Sequence, residues 1–487
     1  MTQRQNGPFD VREELAAAGD PLTADSAASP EAAGGLSPTL GSRISGLLAL
    51  GNSKGGKTAF RASAWSATGY GVTTALRFVS RLVLAKLLTT ATPMGDVAII
   101  VVILAGLEMI SDLGIGFGIV QHKQADENAY VGTAYSVQAL RGVVLWGLAS
   151  ALAFPVAWIY HDRELAPLLL FGALSTLFRA FSSPAIWLFT RRMDLRRPTL
   201  VTIASEIIGF VVTIVWAMAS PSAWAIVGGT VAAAAANAIG SHLVGGRARF
   251  SWDPRMARDI VHFGGWMLLS SGTYFLSSRG ESLMLRGSVP DVEFGCFAFA
   301  SMLVTTPVSA ITQLAQQVYF PMLAASLRED HGRAERQFKR AKWAFTAVAL
   351  CFVWGAIFVG PLIIAAMKLP KAFEGLYWMV PLLGIRASLD IFAAPTGGAL
   401  FAAGASRYSA WANVVRLVVL VAGLYATVAH WGLHGAIWVL VGAPAISYLA
   451  LLPGVRRLMP GALQVELANL GVFWIGTAIA LAIHYTV

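Results

Sequence analysis

Charge is what this chain has least of. Only 13% of its 487 residues are Asp, Glu, Lys or Arg, against about a quarter in soluble domains. With 56% hydrophobic residues and a mean hydropathy of +0.63, that deficit excludes a soluble globular protein. Cysteine is nearly missing too. Cys296 and Cys351 are the two, and both sit inside apolar runs, which reads as two buried free thiols rather than a disulfide or a metal site. The eight histidines show no metal-ligand grouping, so neither a metal nor a cofactor is expected. Net charge is +10, yet the basic residues fall mostly in short loops between apolar runs, which removes nucleic acid as a partner and leaves membrane orientation as their role. Enzyme signals are missing as well: there is no acidic metal-binding cluster at a membrane face and no large outer loop. The expectation is a polytopic membrane protein that is not an enzyme.

What is present is a succession of apolar runs, each near the ~20 residues that a spanning helix requires. They fall at 63–86, 94–119, 131–159, 165–190, 199–219, 222–245, 259–286, 291–325, 341–366, 376–402, 408–430, 433–454 and 467–486. The fold class is therefore all-α, with about 12–14 transmembrane helices. Residues 1–61, rich in Ala, Gly, Ser and Pro, read as a disordered cytoplasmic tail without signal-peptide character. Within that tail, Gly51–Thr58 matches the pattern GxxxxGK[ST]. A phosphate loop needs a parallel sheet behind it, and here a membrane helix follows at once, so the match is assigned to chance or to contact with anionic lipid. Alternate loops hold the arginines and lysines, among them Arg191, Arg196, Arg247, Arg255, Arg333 and Arg340. By the positive-inside rule this puts the amino terminus in the cytoplasm. The charged stretch Ser326–Lys342 reads as an amphipathic helix lying on the inner leaflet.

The stretch Pro93–Lys123 anchors the functional reading. Glu108 and Asp112 lie four apart on an apolar run, hence on one helix face, and in hydrocarbon that face must look into protein or a wet cavity. Arginines away from loops and helix ends are Arg77, Arg81, Arg141, Arg179, Arg279, Arg386 and Arg416, against Glu108, Asp112, Glu206, Glu281 and Asp390. That surplus makes a cationic interior suited to an anion. Arg77 and Arg81, one turn apart, could clasp a phosphate or carboxylate. Arg386 and Asp390, also four apart, fit an intrahelical ion pair as well as they fit a cavity. Arg279 and Glu281 could instead reach the interface. Arg416 and Glu206 suit helix–helix locking. An internal repeat pairs Trp65 and Met94–Ala98 with Trp266 and Phe294–Ala298 at nearly equal spacing, which suggests two six-helix lobes of like orientation around a central cationic cavity. The lobes would be residues 62–245 and 259–455, joined by a cytoplasmic linker at 246–258, with an extra transmembrane helix within 456–487.

The segments Leu82–Leu88 with Met94–Ala98, Ser111–Lys123, Arg179–Arg192 and Phe263–Leu285 resemble the Wzx/WzxC-type oligosaccharide flippases of the multidrug/oligosaccharidyl-lipid/polysaccharide exporter superfamily, over about residues 60–455. Two features depart from that pattern: Glu281 stands where many relatives carry Asp, and thirteen runs compare with the usual twelve or fourteen helices. The resemblance implies translocation of an undecaprenyl-diphosphate-linked oligosaccharide across the bacterial inner membrane for capsule, exopolysaccharide or O-antigen biosynthesis. It implies alternating access, and as partners the lipid-linked anionic oligosaccharide, membrane lipids, and polysaccharide polymerase and export machinery. On that reading Arg77, Arg81, Arg141, Arg179 and Arg279 hold the diphosphate or acidic sugars, while Glu108, Asp112 and Glu281 serve as gating or coupling carboxylates. A multidrug/cation antiporter of the same superfamily and a non-transporting membrane subunit of a polysaccharide assembly complex are the alternatives.

Overall fold

A computed structural model describes residues 54–111, 128–192, 194–245, 250–254, 256, 275–276, 279–314, 319–403 and 405–486. Every regular element among them is helical. The first set comprises α1 (Lys54–Leu87), α2 (Thr92–Ile110), α3 (Asn128–Ile159), α4 (Leu165–Ala180), α5 (Ile186–Arg191), α6 (Arg196–Ala219) and α7 (Ala223–Gly245). The second comprises α8 (Asp291–Leu314), α9 (Phe320–Glu329), α10 (His331–Trp354), α11 (Gly360–Met367), α12 (Leu376–Ala402), α13 (Ser406–Leu449), α14 (Leu452–Leu458) and α15 (Leu463–Thr486). Nine helical stretches among the described residues are long and apolar enough to cross a bilayer. The protein is an all-α, multi-pass membrane protein. Large apolar side chains such as Phe154, Trp158, Met218, Leu243 and Leu362 face outward, as lipid-facing helices require.

Breaks in the helices follow their local chemistry. Pro93 sits in the first turn of α2, where its missing N–H costs nothing. Pro184 ends the expected 165–190 run early and leaves α5 as a separate short helix. A π turn at Gly355–Val359 precedes Pro361 and absorbs its lost hydrogen bond. In α13, Gly432 has φ +53°, a conformation that favours glycine. The chain doubles back there: a Cβ on Gly423 would lie 2.6 Å from Val439 Cγ1. This element therefore makes two crossings, matching the apolar runs 408–430 and 433–454.

Helices of the first set pack mainly on one another, α6 on α7 and α3 and α7 on α4; in the second set α12 is the hub for α8, α10 and α13. Among the described residues, α2 against α8 is the extensive packing that joins the two sets. Its tightest point is the repeat itself. A Cβ on Gly95 would stand 2.8 Å from the Phe294 ring and 3.4 Å from Gly295 Cα, and one on Gly295 would overlap the Ala91 carbonyl. The two repeated motifs thus face each other, glycine to glycine, as close helix crossings in a membrane favour.

Several expectations change. Lys54–Ser63 belong to α1, so the amino-terminal tail cannot run to residue 61, and the Lys54–Thr58 part of the phosphate-loop pattern is helical. Residues 1–53, most of the 246–258 linker and of the seventh run, and Asp112 lie outside the described residues. Cys296 is buried, but Cys351 faces outward. Ser326–Lys342 is not an interfacial helix: α10 starts at His331, capped by Asp330, and runs straight into the bundle. The reason is Lys342. Its side chain and that of Glu466 on α15 are both 0% exposed and 2.9 Å apart. The Lys342 ammonium also donates to Phe392 O (2.9 Å), Thr396 Oγ1 (3.1 Å) and Tyr448 OH (2.6 Å). This cluster ties α10, α12, α13 and α15 together, so the last helix is bound into the second set by charge.

Glu466→Ala strands Lys342 in that interior and is expected to lower stability by about 3–5 kcal/mol, whereas Lys342→Met/Glu466→Leu, which removes both charges, loses less. Thermal unfolding of the purified protein in detergent checks this; a double variant as unstable as the single one contradicts it.

Candidate functional site

Two cavities adjoin within the first set of helices. The first, about 450 Å³, is lined by α1, α2, α4, α6 and α7 and presents Arg77, Arg81, Arg179, Glu108, Glu206 and a fringe of Ser and Thr. The second, about 510 Å³, lies among α2, α3, α4, α5 and α7. Ala105, Glu108, Arg179 and Asn237 line both, so the Arg179–Glu108 ion pair (3.0 Å) stands as the partition between them. Every lining side chain falls within residues 76–237.

Arg77 and Arg81 do share a face of α1 and line the first cavity, but their states differ. Arg77 is held by Glu206 of α6, with Nε 3.0 Å from Oε2. Arg81 has no hydrogen bond or ion pair among the described residues, and its charged neighbours are Arg77 and Arg279, both cations. Arg279 is exposed and lines neither cavity. Arg141 lines the second cavity with its donors committed: Nε and Nη2 to Ser111 Oγ at 3.1 and 3.0 Å, and Nη2 to the Glu108 carbonyl at 2.8 Å. A guanidinium there satisfies the carbonyl end of α2 and complements its dipole.

The Arg386–Asp390 intrahelical pair does not form. Arg386 reaches instead to Glu281 at 2.7 Å, both nearly buried, and Asp390 pairs with Arg416 of α13 at 3.3 Å. An i,i+4 pair on one helix satisfies only that helix, whereas these two arrangements join neighbouring helices. Glu281, read from the sequence as a gating or coupling carboxylate, pairs with Arg386 and lines neither cavity. Glu206 and Arg416 lock helices, as their positions suggested.

One cluster escaped the sequence reading. Arg286, the last residue of the 259–286 apolar run, is 0% exposed and shared by three carboxylates: Asp96 of α2 at 2.8 Å, Asp162 after α3 at 2.8 Å, and Asp291 at the start of α8. It ties the two sets together at the end of the bundle where α2 and α8 begin. The available signal was Asp96 inside the repeated Met94–Ala98 motif, an acid at a close-packed crossing that demanded a partner.

The cavity geometry separates the two arginines of α1. Arg77→Ala leaves Glu206 without its cation and lowers the thermal midpoint, while Arg81→Ala relieves like-charge repulsion and melts at or above wild type, a gap of about 1 kcal/mol or more between them. Melting curves in detergent without ligand check the order; the reverse order would mean that Arg81 is the paired residue.

Comparison with known proteins gives this geometry its context. The amylovoran biosynthesis protein AmsL of Erwinia amylovora is 22% identical over 345 residues, 69% of this chain and 84% of that protein. The succinoglycan biosynthesis transport protein ExoT of Rhizobium meliloti is 21% identical over 280 residues, so the match spans 57% of this chain and 56% of that relative. Among solved structures, the lipid II flippase MurJ in an inward closed conformation matches with a TM-score of 0.64 at 10% identity, covering 86% of this chain and 96% of that one. An inward-facing multidrug resistance MATE family transporter of the MOP superfamily matches with a TM-score of 0.53 at 18% identity, over 82% and 95%. At these identities the likeness to solved structures is one of fold. The profile of the family described as polysaccharide biosynthesis protein matches residues 83–368, more than half of the sequence, and the chain belongs to that family.

Proposed function

We propose that this protein translocates an undecaprenyl-diphosphate-linked oligosaccharide across the bacterial inner membrane by alternating access, for capsule, exopolysaccharide or O-antigen biosynthesis. The observation that carries the reading is Arg81: a guanidinium of α1 that lines a cavity with cations beside it and, among the described residues, no carboxylate bonded to it. Such a group is costly unless an anion arrives to meet it. A diphosphate supplies that anion and can take bidentate hydrogen bonds from Arg81 and from Arg77 one turn away. A cationic drug would be repelled by the same surface, which argues against the antiporter reading.

In this account residues 62–245 and 259–455 act as two lobes that rock about the α2–α8 crossing, with the amino terminus cytoplasmic by the distribution of basic loops. The Arg286 cluster then lies at the periplasmic end and holds that end closed. Glu206 and Glu108 act as resident counter-ions, neutralising Arg77 and Arg179 while the cavity is empty and yielding to the phosphates when substrate enters. The polyprenyl tail stays in lipid. Polysaccharide polymerase and export machinery receive the product.

Arg77→Ala/Arg81→Ala is expected to abolish surface polysaccharide in the producing cell at normal protein level; unchanged polysaccharide contradicts the assignment of the cavity. Arg286→Ala leaves three carboxylates facing one another and should open the outer end. A cysteine placed at Ser80 on a Cys296→Ser/Cys351→Ser background should then react several-fold faster with an impermeant thiol reagent added outside; an unchanged rate contradicts the closure role.

A further inference from the structure

The second cavity differs in chemistry from the first. Apart from the shared Arg179–Glu108 partition and the committed Arg141, its polar lining is neutral: Gln138, Thr176, Ser182, Ser183 and Asn237, with Trp187 at its edge. Several of these groups have hydrogen-bonding capacity that the protein leaves unused. Asn237, on the membrane-spanning helix α7, makes no side-chain hydrogen bond to the described residues. Nor do Ser182 Oγ or the Trp187 indole N–H. Gln138 spends its Nε2 on the carbonyls of Ala180 (3.0 Å) and Ser182 (3.1 Å) at the end of α4, which leaves its Oε1 as a spare acceptor. An amide in a membrane helix with nothing to bond is as exceptional as an unpaired charge.

A set of neutral donors and acceptors with one part-exposed aromatic face fits a sugar, whose hydroxyls both give and accept hydrogen bonds and whose C–H face packs on an indole. It fits neither a phosphate, which takes donors only and favours cations, nor a polyprenyl chain, which would strand the amides. The volume lies within the range of about 300–1,000 Å³ typical of ligand sites. Asn237 lines both cavities, so a ligand that puts its phosphates at Arg77 and Arg81 can extend its first sugars past the Arg179–Glu108 partition without leaving polar surroundings.

We infer that the second cavity is a glycan subsite, which takes the sugar residues next to the diphosphate and makes Asn237, Gln138, Ser182 and Trp187 determinants of which oligosaccharide is accepted. The inference rests on the flippase reading and adds to it the place where the sugars are read. Trp187 and Ser182 line the second cavity alone, so their loss should affect the sugar and leave the diphosphate site in place.

The test uses the full chain in lipid nanodiscs and two probes: sugar-free undecaprenyl diphosphate, and the undecaprenyl-diphosphate-linked repeat unit extracted from the producing bacterium. Wild type is expected to bind the glycan-bearing lipid about 10-fold or more tighter, the worth of one or two good contacts. Trp187→Leu/Ser182→Ala should bring the two affinities together by weakening the glycan-bearing lipid alone, and the retained affinity for the sugar-free lipid certifies the fold. Equal weakening of both lipids, or no change in either, overturns the glycan subsite. Equal binding of both lipids by wild type overturns it as well while the flippase reading stands. Binding of neither lipid by wild type overturns the flippase reading itself.

Discussion

A cation carried into hydrocarbon needs an anion or a polar shell, and this protein is arranged around meeting that demand almost everywhere. Lys342 is matched by Glu466, Arg386 by Glu281, Arg416 by Asp390, Arg286 by three aspartates, Arg77 by Glu206 and Arg179 by Glu108. Each pair joins different helices, so satisfying charge and fixing the helix bundle are one event. Such pairs add little net stability over an apolar packing, but breaking one is expensive, which makes them good determinants of a single arrangement. Against that background Arg81 stands out as the cavity cation that the described residues leave unmatched.

Where the pairs sit divides the molecule by role. In the second set the Lys342–Glu466 and Arg386–Glu281 pairs are buried, and the Lys342 ammonium lies against the Phe392 and Tyr448 rings. The first set keeps its pairs half-open: Arg77 and Arg179 are each at least half exposed at their side chains, beside the two cavities. Pairs of that kind exchange partners at small cost, which is what a site for a mobile anion requires. The Arg286 cluster lies between these regimes, closing the seam that the glycine-to-glycine crossing of α2 and α8 brings together.

Much of this was legible in the sequence. Thirteen apolar runs and an arginine surplus led to an all-α membrane protein with a cationic interior, and the Met94–Ala98 and Phe294–Ala298 repeat pointed to the two helices that meet. Partners were harder to read. Residue spacing suggested Arg386 with Asp390, because i,i+4 geometry is visible along one helix while Glu281 and Arg416 are distant in sequence. Lys342 was read as the end of a helix lying on the inner leaflet because the charges that precede it, from Arg333 to Arg340, look solvated; only Glu466, more than a hundred residues later, explains its burial. Nor did the neutral cavity have a signature, since Asn237, Gln138 and Ser182 are unremarkable until helices from three parts of the chain bring them together.

The central claim, that this chain moves a lipid-linked oligosaccharide through an arginine-lined cavity, is tested most directly by translocation in proteoliposomes. The substrate is the undecaprenyl-diphosphate repeat unit of the producing bacterium, labelled on its sugar and loaded in one leaflet. Wild type is predicted to expose the label on the opposite leaflet, either without a gradient or under an imposed proton or sodium gradient, and Arg81→Ala is predicted to leave it where it was loaded. Label that stays in place with wild type under every gradient, although the protein binds that lipid, contradicts the account.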